Sequence, residues 1–188
     1  FINPQRRIVL STTSTHDIKA AYEHDKIGTF LFNLCAAWTK FIVQHRKLYF
    51  ILASTWGIIM TAIGALVSGA LYMVKVFTKD AVKITFKPYR WIYSISVGPD
   101  YWGGMELGLC FLRDHKSGGS LDAHEFGHTF QNCLFGPLFP FIVAIPSASR
   151  YWVRELNKNK EHAPYDSAWF EDAATQCGLY AAVYLSTN

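Results

Sequence analysis

Residues 49–74 contain no charged side chain. A helix needs about 20 apolar residues to cross a bilayer core, and this run is longer than that. Arg46, Lys47 and Lys75 bracket it, and Tyr49 and Tyr72 lie near its ends, where amphipathic rings favour the membrane interface. A transmembrane helix is therefore predicted over residues 49–77. It divides the chain into a polar segment plus an apolar helix (1–48), the span, and a following domain (78–188). Composition agrees, since 17% charged residues fall below the usual quarter and tilt the class towards membrane proteins. Gly57, Gly64 and Gly69 offer a small-residue face, which predicts helix–helix self-association in the bilayer.

The charge of +4 is mild. With no aromatic-and-basic recognition motif, nucleic acid is not an expected partner. Lys75, Lys79, Lys83, Lys87 and Arg90 follow the run, against Lys40, Arg46 and Lys47 before it. The positive-inside rule then predicts an integral cell-membrane protein whose C-terminal part is cytoplasmic. Cys35, Cys110, Cys133 and Cys177 form no CxxC pair and read as buried thiols.

The second constraint is chemical. His124-Glu125-Phe126-Gly127-His128 sets two imidazoles four residues apart, on one side of a helix. Imidazoles so spaced can share one Zn²⁺, and the glutamate after the first can serve as base towards a water held by the metal. A catalytic zinc usually takes a third protein ligand. Glu171 is the preferred candidate, partly because small and apolar residues surround it and a carboxylate there needs a partner, and partly on the resemblance given below. Asp172 is the alternative metal ligand, pointing about 100° away on a helix. Tyr165, His162 and Tyr180 are of the right type to donate to a developing oxyanion.

Around these motifs the pattern is coarse. Ser14 or Thr15 is placed to cap a helix over residues 17–22. His16, His24 and Asp25 read as solvated surface residues. Residues 27–43 are apolar on nearly every side and suit a buried helix, an interfacial helix or a poor span. Residues 82–87, 91–97 and 105–112 read as three strands, with turns at Gly98-Pro99-Asp100 and Gly103-Gly104. The motif helix should end near Gly136-Pro137. Residues 134–148 hold three prolines and cannot span alone. They should dip into the bilayer surface or line a substrate cleft, with core packing as the competing expectation. Residues 149–162 should form an exposed helix and loop.

HExxH followed by a glutamate on a later helix resembles the gluzincin branch of zinc metallopeptidases. More closely, HEFGHTFQN, GPLFPFIVAIPSASRYW and YDSAWFEDAATQCG resemble small membrane-anchored proteins of Gram-positive bacteria, over most of residues 49–181. The resemblance implies an α+β, zincin-like mini-domain: a short sheet, an HExxH helix and a later glutamate-bearing helix, preceded by a transmembrane helix. It implies Zn²⁺ held by His124, His128 and Glu171, Glu125 as general base, and a peptide or protein substrate. An edge strand beside the motif helix would hold that substrate by β-augmentation. Many gluzincins carry E-x-x-A-D, whose aspartate supports the first histidine; here Glu171 and Ala174 match and Thr175 stands in the aspartate's place.

Two other readings compete. One is a non-catalytic membrane protein with a structural zinc, acting as a partner-binding or immunity-type module. That requires a fourth ligand, such as Asp166, Asp172 or Cys177. The other is an intramembrane zinc protease, against which the charged run over residues 113–122 argues.

Overall fold

The computed structural model describes residues 17–79, 81–157 and 159–187. Among these residues, six α-helices and a four-stranded sheet give a mixed α+β fold. The order is α1 (Lys26–Ile42), α2 (Arg46–Ser54), α3 (Ile58–Phe77), β1 (Thr85–Tyr89), β2 (Ile92–Ser96), β3 (Gly104–Leu107), β4 (Cys110–Arg113), α4 (Gly119–Phe135), α5 (Ile145–Leu156) and α6 (Trp169–Thr187). A 3-10 turn (Gly136–Leu138) and a π-helical segment (Pro140–Ala144) join α4 to α5.

The apolar run is not one helix. It breaks at residues 55–57 into α2 and α3, which corrects the continuous span. The cause is Tyr49, which is fully buried beside Trp91 and Phe130. Together with buried Ala53 it commits α2 to the protein core. Gly57 then lets the chain pass Asn132, where a Cβ would lie 3.0 Å from Oδ1. Among the described residues, only α3 is by itself long and apolar enough to cross a membrane. It is also no free-standing rod. Met60, Val67 and Leu71 pack with Ile84, Ile95 and Leu107 of the sheet region, and Gly64 meets the Leu107 carbonyl so closely that a Cβ would lie 2.1 Å away. Of the three glycines expected to mediate self-association, Gly57 and Gly64 are thus spent on contacts within the chain, and Gly69 faces open space.

The sheet order is β1-β2-β4-β3, with β2 and β4 parallel and the other pairs antiparallel. The strand expected over residues 105–112 is instead the β3–β4 hairpin. Gly108, at φ +73°, turns the chain after Leu107, a conformation glycine adopts without Cβ strain. Its N–H donates to Glu106 Oε1 at 2.6 Å. The first strand also starts later than expected, at Thr85.

α4 lies at the centre, with every residue from Ala123 to Cys133 buried, and stops at Gly136 as its sequence predicts. It crosses α6 at two glycines. A Cβ on Gly127 would sit 1.9 Å from the Ala174 carbonyl oxygen, and one on Gly178 would sit 1.8 Å from that of Ala123. α1 buries Phe32, Cys35, Ala36 and Thr39, packing with Ala173 and Cys177 of α6, while Ile27 and Phe30 face outward. All four cysteines are buried and free.

The helix expected over residues 17–22 does not form; Ser14, Thr15 and His16 lie outside the described residues. The N–H groups of Ala21 and Tyr22 donate instead to the Asp172 carboxylate. His24 is not solvated either, since its side chain is 5% exposed and its Nε2 lies 3.0 Å from Asp172 Oδ2. Asp25 caps α1, accepting from the Gly28 N–H.

Candidate metal centre

Two helices build the site. α4 carries His124, Glu125 and His128, all under 9% exposed, and the first turn of α6 brings in fully buried Glu171. The glycine crossing makes this possible, because only two helices without Cβ atoms at the contact approach so closely. Glu171 Oε2 lies 3.1 Å from His124 Nε2 and 3.4 Å from His128 Nε2, and the two Nε2 atoms are 3.2 Å apart. Zinc bonds of about 2.0–2.1 Å in tetrahedral geometry place ligand atoms about 3.3 Å from one another. The triangle therefore has the size of one face of such a site.

The hydrogen bonds around the ligands fix which atoms face inward. Gln131 Nε2 donates to the Phe170 carbonyl at 2.8 Å, which leaves Gln131 Oε1 as the acceptor for His128 Nδ1–H at 2.7 Å. When that imidazole is neutral, its Nε2 presents a lone pair to the centre. His124 Nδ1 is 2.8 Å from Thr175 Oγ1, so the residue in the aspartate's place of the resembled motif does support the first histidine, as a hydroxyl. Beyond the two imidazoles, neither oxygen of Glu171 has a hydrogen-bond partner. A fully buried carboxylate is costly unless a cation, whether a metal ion or an imidazolium, compensates it. The set of His124, His128 and Glu171 fits a metal ion, on geometry and on this need.

Charge follows the same pattern. Burial works to raise the Glu171 carboxyl, but the His124 and His128 imidazoles outweigh it and hold it well below the usual range. Burial works against the His128 cation, yet Glu171 and Glu125 raise that imidazole. Burial also raises the Glu125 carboxyl, with the two histidines opposing. Glu125 lies against β3 at Gly104, where a Cβ would come 2.5 Å from its Oε1. β3 is one of the two edge strands of the sheet, in the position expected of an edge beside the motif helix.

The remaining sequence candidates separate. Tyr165 stands by the site: burial first, then the Glu171 and Glu125 carboxylates, raise its phenol, and its hydroxyl is 2.9 Å from Ser147 Oγ. His162 does not; its Nε2 lies 3.0 Å from the Asn157 carbonyl. Tyr180 stacks on Tyr184 farther along α6. Asp172 turns away to Ala21, Tyr22 and His24. Among the described residues, neither Asp166, Asp172 nor Cys177 joins the three-residue group. Sequence reasoning missed Gln131, Gly104, Gly127 and Gly178. Gln131 follows His128 by one helical step of three, a spacing that could have flagged it.

No family model, curated protein or solved structure matches the chain.

Proposed function

We propose that the protein is a membrane-anchored, zinc-dependent peptidase of the gluzincin type, with His124, His128 and Glu171 as ligands and Glu125 as general base. The observation that carries this reading is the 3.1–3.4 Å triangle of ligand atoms around an otherwise unpartnered Glu171. A zinc ion held there supplies a Lewis acid that polarises a carbonyl and lowers the pKa of water. Glu125, its carboxyl raised by burial, accepts the proton of the attacking water and returns it to the leaving amine. Tyr165 keeps its proton and is the one oxyanion donor of the three candidates beside the site. Three ligands without a fourth among the described residues favour an open coordination position over a structural zinc. α3 anchors the chain, and the basic residues after it favour a cytoplasmic site.

The test is hydrolysis of a fluorogenic peptide library by the detergent-purified chain and by Glu125→Gln. The wild type should cleave. The variant should keep its zinc and lose at least about 100-fold in rate. A variant as active as wild type overturns the mechanism. Zinc-loaded wild type that cleaves nothing turns the reading towards a binding module.

An intramembrane form of the same chemistry gains support from the contact of α3 with the sheet along residues 60–71. The charged run that argued against it is also partly neutralised, since Arg113 binds Asp122 at 2.7 Å. Reaction of His124 with membrane-impermeant reagents separates the two depths.

A further inference from the structure

α5 is built inside out. Its cations face the protein: Arg150 donates to the Pro164 and Tyr165 carbonyls, and Arg154 donates to the Ala163 carbonyl. Ser147 also faces inward, bonded to Tyr165. The outward side is apolar. Leu138, Phe141, Ile145, Trp152, Val153 and Leu156 are each 54–80% exposed. Those after the bend at Leu138, from Phe141 to Leu156, fall along one side, and a water-facing stripe on a surface helix is normally polar. Between residues 138 and 156 the outward positions carry no charge. A continuous exposed apolar face of this kind marks a protein or lipid contact.

What covers this face follows from its continuity with α3. Trp56, at the start of α3, lies over Gly136 and donates to the Leu134 carbonyl, which brings the root of the apolar helix onto the turn that leads to Leu138. Phe139 and Val143 pack into the same cluster as Met60, Val67 and Leu71 of α3. The outward sides of α3 and of the π-helical segment that leads into α5 therefore flank one shared core. α3 is long and apolar enough to cross a bilayer, and the face beside it is the one that such a bilayer would reach. The sharp bend of 116° after α4 turns α5 away from the motif helix.

We propose that the outward face of α5 and of the π-helical segment before it is seated in the membrane that α3 crosses, at the boundary of headgroups and acyl chains. Trp152 belongs at that level, and Arg150 and Arg154 on the other side of α5 bind the 163–167 loop that presents Tyr165 to the candidate metal centre. Lipid contact and the site are then joined through Ser147 and Arg150. The proposal rests on the membrane anchoring put forward above.

The test is spin labelling of the full chain in phosphatidylcholine–phosphatidylglycerol vesicles. Because the native cysteines are buried, single cysteines introduced at Ile145, Trp152, Leu66 and Lys116 are labelled selectively. Labels at 145 and 152 should show an oxygen-to-nickel-chelate accessibility ratio several-fold above that at 116, as the label at 66 does. A ratio at 145 and 152 equal to that at 116, with 66 still oxygen-accessible, overturns the proposal and leaves α3 as a span. Loss of access to both reagents at 145 and 152 overturns it in favour of a second copy of the chain. Nickel access at 66 as well overturns the anchoring itself. If Trp152→Cys fails to fold, Phe141→Cys takes its place on the same stripe.

Discussion

At the scale of single residues, the histidines are only as good as the groups behind them. Thr175 holds Nδ1 of His124. Thr175→Val keeps the shape and removes the hydroxyl, so zinc affinity should fall about 10–100-fold in a competition titration with a chelating dye, while the fold persists. Unchanged affinity would make the contact incidental. Glu106 is a separate case. It is 4% exposed, its Oε2 has no partner, and its Oε1 accepts from Gly108 and Asn132. Burial raises its carboxyl to about 8. The folded state thus holds a proton that the unfolded chain releases near pH 4.5, and stability falls as pH rises from there to about 8. At about 1.4 kcal/mol per pH unit, the loss is on the order of 5 kcal/mol. Glu106→Gln should flatten this decline in thermal unfolding followed between about pH 5 and pH 9, with the variant the more stable at the alkaline end. Equal slopes would refute the assignment.

At the scale of elements, the α4–α6 crossing sets the distance between the histidines and Glu171. Gly178→Ala forces a methyl group against the Ala123 carbonyl. Overpacking of this kind costs about 1–3 kcal/mol. It should lower the melting temperature and weaken zinc binding together, whereas Gly69→Ala, in open space, should do neither. What could be read in advance divides along the same line. The spacing of His124, Glu125 and His128 and the apolar setting of Glu171 are local patterns, and the structure brings these residues together. The preference for Glu171 over Asp172 could be read only in part, because Asp172 is engaged by a segment about 150 residues earlier in the chain. The break at residues 55–57 was hidden, since an uncharged run looks the same whether its neighbours are lipid or the core around Tyr49. The β3–β4 hairpin hinged on one glycine inside an apolar stretch. Tyr165, His162 and Tyr180 were equivalent by residue type, and only the course of the 163–167 loop separates them.

At the scale of the whole molecule, the metal centre, the sheet and the apolar helix form one packed unit. α3 contributes Met60, Val67 and Leu71 to the core and turns Ile63 and Leu66 outward. Leu66→Arg leaves the inner face intact but places a cation at mid-helix, which costs about 2.5–3.5 kcal/mol in a spanning helix. Carbonate-washed membranes should retain less of this variant than of wild type. Equal retention would mean that α3 does not span. The candidate centre makes the sharper demand, because the account places a zinc ion between three side chains that could hold a metal. Elemental analysis of the purified wild type and of Glu171→Ala tests this most directly. One zinc per chain in the wild type, lost or greatly weakened in the variant, is the predicted result. A wild type that takes up no zinc when supplied with it, or a variant that binds as tightly as wild type, would contradict the account.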